Sequence, residues 1–302
     1  SLAKKYAMLF AYWKRRGHVG RFRIVEEIGR GGSGTVYKAA DPAGGGPVAL
    51  KVLDMGLIDE AGRRRFIQEG LICERLRHPN VVKVLARGES QGKLFYAMEF
   101  IDGVTLRQWI AERRPAPRTA LAIFSGLLDI LWEIHQAGII HRDVKPENVI
   151  LTGARELDEN ATWPELLPAA RQRLKILDFG LARIQDAATL TRTSLLAGTL
   201  QYVPPEHLFG KKIRETGYDF YSLGVMGYEL VTGRPPFQAE ESFEVIAAIL
   251  REEPVPPVEL VPGTPPALSE LVLRLIAKKP SARWQEYARI RAALDAVIAG
   301  WG

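Results

Sequence analysis

Between residues 21 and 101 short runs rich in apolar positions, bounded by turn-forming residues, read mostly as strands. Such runs are Arg21 to Ile28, Thr35 to Ala40, Pro47 to Leu53, Val81 to Arg87 and Leu94 to Phe100. Turn-forming stretches separate them at 29–34, at Ala43-Gly44-Gly45-Gly46 and at Ser90-Gln91-Gly92. One stretch departs from this. From Glu60 to Arg77, Phe66, Ile67, Ile72, Cys73 and Leu76 recur at helical spacing, and Pro79 closes the segment. After residue 103 the pattern changes to that of a helix. Arg118 to Gln136 carries Leu121, Phe124, Leu128, Leu131 and His135, with Gly138 as the stop. Tyr218 to Val231, Ser242 to Arg251, Ala267 to Ala277 and Trp284 to Ala299 also read as helices, and Val149 to Leu151 and Lys175 to Leu177 as short strands. The pattern predicts a small sheet-rich lobe, 21–101, joined near Phe100 to Val104 to a larger helical lobe, 102–302. There is no internal repeat.

Composition changes this picture little. The chain has 302 residues, 47% apolar and 25% charged, an ordinary globular balance that can bury a sizeable core. The net charge of +6 raises a nucleic-acid reading, but the basic residues are dispersed and no nucleic-acid motif accompanies them. We therefore expect no nucleic-acid partner. The single cysteine, Cys73, rules out an intrachain disulfide and fits a reducing compartment. No apolar run approaches the ~20 residues that span a bilayer. We expect a cytoplasmic chain, or the cytoplasmic domain of a larger, membrane-anchored protein. Residues 1–20 form a basic, aromatic extension. Its Tyr6 to Trp13 run reads as protein contact, on its own lobe or a second copy, in preference to membrane contact through residues 1–17.

Three short segments carry the chemistry. Gly29-x-Gly31-x-x-Gly34-x-Val36 lies between two predicted strands, and glycines there let backbone N–H groups approach phosphate oxygens. Dinucleotide folds place this motif before a helix, so the continuing strand argues against that reading. Lys51 ends a strand, and Glu69 lies on the apolar face of the following helix as a partner for a buried ammonium. His141-Arg142-Asp143-Val144-Lys145-Pro146-Glu147-Asn148 is the decisive segment, with Asp178-Phe179-Gly180 behind it. Asp143 can accept a hydroxyl hydrogen bond, Lys145 can offset phosphate charge, and Asn148 and Asp178 offer oxygens suited to Mg²⁺. Together these are the parts of a phosphoryl transfer.

With these residues the chain resembles a eukaryotic-type (Hanks-type) serine/threonine protein kinase catalytic domain, most like the bacterial members, over about residues 21–299. The resemblance implies an α+β, bilobal protein-kinase fold: a five-stranded antiparallel N-lobe with helix C, a helical C-lobe, and ATP in the cleft between them. It implies a Lys51–Glu69 ion pair, Met98 as gatekeeper, and hinge backbone at Glu99 and Ile101. Ile28, Gly29, Gly31 and Gly34 would cover the nucleotide, and Val36, Ala49 and Ile150 would sandwich its adenine. Asp143 would be the catalytic base, and Asn148 and Asp178 the metal ligands. Lys145 and Gly198-Thr199 point to the serine/threonine class. Asp219 would brace the catalytic loop, Thr199 would bond Asp143 and Lys145, and Glu206 and Arg283 would form a structural ion pair. The implied cofactors are ATP and Mg²⁺, with Mn²⁺ as a substitute. The implied partners are protein substrates and, as in related kinases, a second copy through the N-lobe.

Two features depart from the family pattern. Pro204-Pro205-Glu206 stands where Ala-Pro-Glu is usual, which stiffens the segment. The spacing from Asn148 to Asp178 is longer than usual, and the excess lies at 153–173. Thr162-Trp163-Pro164 predicts a helix start there, running to Leu174 with Pro168 as a flaw. A tolerated surface excursion is preferred to a partner-docking surface. Arg142 beside Asp143 suggests switching by loop phosphate, with Thr191 and Thr193 the expected autophosphorylation sites among Thr189, Thr191, Thr193 and Ser194. The rival readings are a pseudokinase-type binding module and a small-molecule phosphotransferase.

Overall fold

The structure is a computed structural model that describes residues 17–31, 34–53, 76–113, 115–154, 157–158, 160–177, 200–208, 215–239 and 241–301. Its residues divide into two compact units, 1–77 with 82–101, and 78–81 with 102–302. The predicted helix at 60–77 lies almost wholly outside the described residues; its last two, Leu76 and Arg77, are not helical.

The first unit is an antiparallel sheet of β1 (His18–Val19), β2 (Phe22–Gly31), β3 (Gly34–Ala40), β4 (Pro47–Leu53), β5 (Val84–Ser90) and β6 (Lys93–Glu99), in the order β1-β2-β3-β4-β6-β5. The implied five strands become six because His18–Val19 folds back on Phe22 and Arg23, so the sheet begins inside the expected extension. Alternation decides the faces. Val48, Leu50 and Val52 of β4 point to a core shared with Val19, Phe22, Ala39, Phe95 and Ala97. Ala49 and Lys51, between them, point to the other face. The strand expected from Val81 starts instead at Val84. Val81 belongs to the second unit, where its N–H donates to the His78 carbonyl and it forms a parallel bridge to Ile176.

The second unit is mostly helical. Its helices include α1 (Leu106–Arg113), α2 (Pro117–Gln136), α3 (Trp163–Arg173), α4 (Pro205–Leu208), α5 (Glu215–Thr232), α6 (Ser242–Arg251), α7 (Pro257–Leu260), α8 (Pro266–Leu275) and α9 (Tyr287–Ala299). A small antiparallel sheet joins β7 (Val104–Thr105), β8 (Val149–Leu151) and β9 (Leu174–Ile176). Helix α2 is the axis of the unit. Leu121, Ile123, Phe124, Leu127, Leu128 and Leu131 are fully buried, because α3, α5 and α9 pack around it. Helix α8 stops short of the expected Ala277. Arg283 takes the Ala277 carbonyl instead, through Nε at 2.8 Å. Helix α9 starts at Tyr287, three residues later than expected.

The 153–173 excess is not a loose excursion. Thr162 and Glu165 form a capping box that starts α3: Glu165 Oε2 accepts the Thr162 N–H at 3.0 Å. Leu166 and Ala170 are buried. The closest approach needs Gly126 of α2. A Cβ there would stand 3.0–3.2 Å from Leu174 and Arg171. Insertion and axis are therefore packed at backbone distance.

Candidate active site

Residues of the first unit share a strand register. Val36 lies opposite Lys51, Lys51 opposite Tyr96, and Ala49 opposite Met98. Directly opposed residues point to the same side, so Gly29, Val36, Ala49, Lys51 and Met98 line the face away from the Phe22–Phe95 core. Gly31 pairs with Gly34 at the turn, so the strands run further into the glycine-rich segment than expected. Gly34 has φ +148°, and a Cβ there would sit 2.2 Å from the Val52 carbonyl oxygen, so only glycine fits. Ile28 falls in a register shift between Glu27 and Gly29 and is exposed. Glu99 pairs with Val48 at the end of β6, and Ile101 is half-buried just beyond it.

The second unit carries the catalytic segment, held from below by α5. Asp219 is fully buried and accepts three hydrogen bonds. They come from the N–H of His141 at 2.8 Å, the N–H of Arg142 at 2.7 Å, and His135 Nε2 at 2.8 Å. These bonds fix the segment while Arg142 adopts φ +60°, a left-handed conformation that costs a non-glycine residue about 1–2 kcal/mol. His141 is buried. Its Nδ1 accepts the Asp143 N–H at 3.2 Å and its Nε2 donates to the Leu177 carbonyl at 2.8 Å, which fixes the neutral tautomer.

Asp143 is then surrounded by its own segment. Lys145 Nζ lies 2.9 Å from Asp143 Oδ2. Asn148 Nδ2 donates to the Asp143 carbonyl and to Oδ2, both at 2.8 Å. The asparagine spends both N–H groups on Asp143, so its side-chain oxygen is turned away as an acceptor. Ile150 is half-buried two residues on, in β8. The Asn148 main chain is held as well. Its carbonyl accepts the Leu177 N–H at 2.8 Å, one residue before Asp178 in the sequence.

A second polar cluster ties this segment to the helices. Arg107 of α1 donates through Nε to Glu147 at 2.8 Å and through Nη2 to the Tyr202 hydroxyl at 2.7 Å, and also to Glu229 of α5. The Tyr202 hydroxyl donates to Glu229 as well. Burial opposes the Arg107 charge, but Tyr202, Glu229 and Glu147 outweigh it and raise its pKa. Burial, then Glu229, pushes the Tyr202 hydroxyl well above its ordinary value. Sequence reasoning passed over Arg107, Tyr202 and Glu229. They are up to 122 positions apart, so no local spacing reveals them. Helix α1 was locally legible: Thr105-x-x-Gln108 is a capping signature, and Gln108 Oε1 accepts the Thr105 N–H at 3.0 Å. Further along, Arg283 pairs with Glu206 of α4, both buried, and its guanidinium lies 5.1 Å over the Tyr221 ring. Glu69, Asp178, Thr191, Thr193 and Thr199 lie outside the described residues.

The Asn148 oxygen is a hard, neutral donor of the kind divalent magnesium or manganese takes. In this respect the described residues fit a metal–nucleotide site.

Comparison with known proteins points the same way. Residues 22–294 match the protein kinase domain family. Serine/threonine-protein kinase pkn3 of Myxococcus xanthus is 35% identical over 92% of this chain and 50% of its own length. PknB of Mycobacterium tuberculosis is 36% identical over 93% of this chain and 43% of its own length. The chain thus spans half or less of these curated relatives. Among solved structures, the PknI kinase domain of M. tuberculosis superimposes with a TM-score of 0.68 at 27% identity, over 93% of this chain and 97% of that one. A family match over nearly the whole length, with a shared fold, identifies the chain as a member of the protein kinase domain family.

Proposed function

We propose that this chain is the catalytic domain of a serine/threonine protein kinase, moving the γ-phosphoryl group of ATP to protein hydroxyls. The observation that carries the reading is the Asp143 cluster: one carboxylate held by Lys145 and Asn148 on a segment pinned by Asp219. Asp143 orients the acceptor hydroxyl and takes its proton as the O–P bond forms, while the bond from phosphorus to the ADP oxygen breaks. Lys145 offsets charge on the phosphoryl oxygens in transit. The turn at Gly31 and Gly34 covers the phosphates with backbone N–H groups, and Lys51, with Glu69, holds them. Val36, Ala49, Met98 and Ile150 enclose the adenine, and the backbones of Glu99 and Ile101 bond its edge. Asn148 and Asp178 hold Mg²⁺, or Mn²⁺ in its place, which supplies phosphate charge neutralisation when bound.

Four further readings belong to this proposal. Thr191 and Thr193 take phosphate from the chain itself, and Thr199 bonds Asp143 and Lys145. Protein substrates are the acceptors, and a second copy meets the N-lobe. Among the described residues no helix is long and apolar enough to cross a membrane. The test is transfer of labelled phosphate from ATP to a generic protein acceptor by wild type and Asp143→Ala. Wild-type transfer that falls by about three orders of magnitude or more in the variant supports the reading. Equal transfer by both, or none by wild type, removes it. Phosphopeptide mapping after ATP incubation that finds 178–199 bare in an active enzyme removes the autophosphorylation part.

A further inference from the structure

The inserted helix α3 feeds directly into β9, and β9 feeds Leu177. We propose that α3 is a brace for the catalytic segment, and that Arg171 and Asn80 are positioning residues for the transfer. This rests on the kinase reading above for what the segment does, but the geometry is independent of it.

A closed ring of hydrogen bonds surrounds the elbow between α3 and β9. Arg171 Nη2 donates to Glu133 Oε1 of α2 at 2.5 Å. Glu133 Oε2 lies 2.6 Å from His78 Nε2. His78 Nδ1 accepts the Asn80 N–H at 3.1 Å, so Nε2 carries the proton given to Glu133. Asn80 Nδ2 closes the ring, donating to the carbonyls of Arg171 at 2.7 Å and Leu174 at 2.8 Å. Asn80 is 5% exposed, so these two carbonyls are unable to exchange partners with water cheaply.

The ring reaches the catalytic segment in two steps. The Asn80 carbonyl accepts the Ile176 N–H at 2.7 Å, and Lys175 Nζ donates to the Pro79 carbonyl at 2.6 Å. Leu177, next in line, gives its N–H to the Asn148 carbonyl and accepts His141 Nε2, each at 2.8 Å. His141 and Asn148 both bond Asp143, His141 through the Asp143 main-chain N–H and Asn148 through its carboxylate. A shift of the elbow is therefore a shift of two of the residues that hold Asp143. A docking role for α3 has less to stand on. Its exposed positions, Pro164, Glu165, Pro168 and Gln172, present neither an apolar patch nor a charge cluster.

The test uses the full chain with Arg171→Ala, Arg171→Lys and Asn80→Ala. Two quantities are read: amide hydrogen exchange at Ile176 and Leu177, and steady-state transfer. The brace predicts exchange at both amides about tenfold or more faster in Arg171→Ala. It also predicts kcat down about tenfold with KM for ATP within about twofold, both restored by lysine. Asn80→Ala should do more. If it does not fold, Arg171→Ala, whose side chain is one-third exposed, still decides. Unchanged exchange overturns the brace, as does faster exchange with unchanged kcat. Loss of transfer to a protein acceptor but not to a short peptide, with exchange unchanged, would make α3 a docking surface instead. Absence of any wild-type transfer would sink the kinase reading, while exchange would still judge the brace.

Discussion

Asp219→Asn probes how much of the chemistry depends on holding Arg142 in its left-handed conformation. The carboxylate accepts two main-chain N–H groups and His135 Nε2, all within 2.8 Å, with no solvent access. A carboxamide has one oxygen. It keeps one main-chain N–H and turns its NH₂ on the other. One charge-assisted bond is lost and one buried donor is stranded, together about 2–4 kcal/mol. In a unit of this size that lowers the melting temperature by roughly 4–16 °C. The effect on rate has a separate origin. Arg142 at φ +60° stores about 1–2 kcal/mol, which the Asp219 bonds oppose. Once a bond is gone the segment relaxes, and restoring it costs that energy at each turnover. The expected loss in kcat is about 5- to 30-fold, with KM for ATP within about twofold. Calorimetry with labelled-phosphate transfer below the variant's melting range measures both. A folded variant with wild-type kcat, or one altered only in KM, would refute the reasoning.

Other perturbations act elsewhere. Gly34→Ala meets the Val52 carbonyl at 2.2 Å, so the β2–β3 turn must move; KM for ATP should rise about tenfold or more with the second unit's melting unchanged. Arg283→Met strands the buried Glu206 carboxylate and should cost about 3–5 kcal/mol, seen as an early thermal transition. Burial raises the Glu133 pKa, but hydrogen bonds from His78 and Arg171 outweigh it, so the net shift is downward from 4.5. A depressed carboxylate stabilises the fold above its unfolded value and loses that contribution as pH falls through the folded value. Melting temperature against pH should therefore steepen below about 4.5 in wild type and flatten in Glu133→Gln; parallel curves would contradict this.

Legibility followed the range of the interactions. Strand β4 and helix α6 begin and end where the apolar run and the helical period place them, because one buried face decides each. The capping box of α3 and the strand Val149–Leu151 were readable for the same local reason. The packing of α3 was not. It depends on Gly126, a helix-interior glycine more than 40 residues upstream whose absent side chain matters only once Arg171 and Leu174 arrive. Val81 misleads a reading of the sequence because its partner, Ile176, is 95 positions away within the second unit, to which both belong. Within the candidate site, the cluster 141–148 was legible as a motif. The support from Asp219 was legible only through resemblance, and the Arg107–Tyr202–Glu229 cluster not at all.

The central claim is that Asp143 faces an acceptor hydroxyl beside the terminal phosphate of a nucleotide. A crystal structure with a non-hydrolysable ATP analogue, magnesium and a serine peptide tests it most directly. The account predicts the serine Oγ within about 2.6–3.2 Å of an Asp143 carboxylate oxygen, with Lys145 on the γ-phosphate. A nucleotide bound elsewhere, or a peptide hydroxyl remote from Asp143 in a complex with both ligands seated, would contradict it.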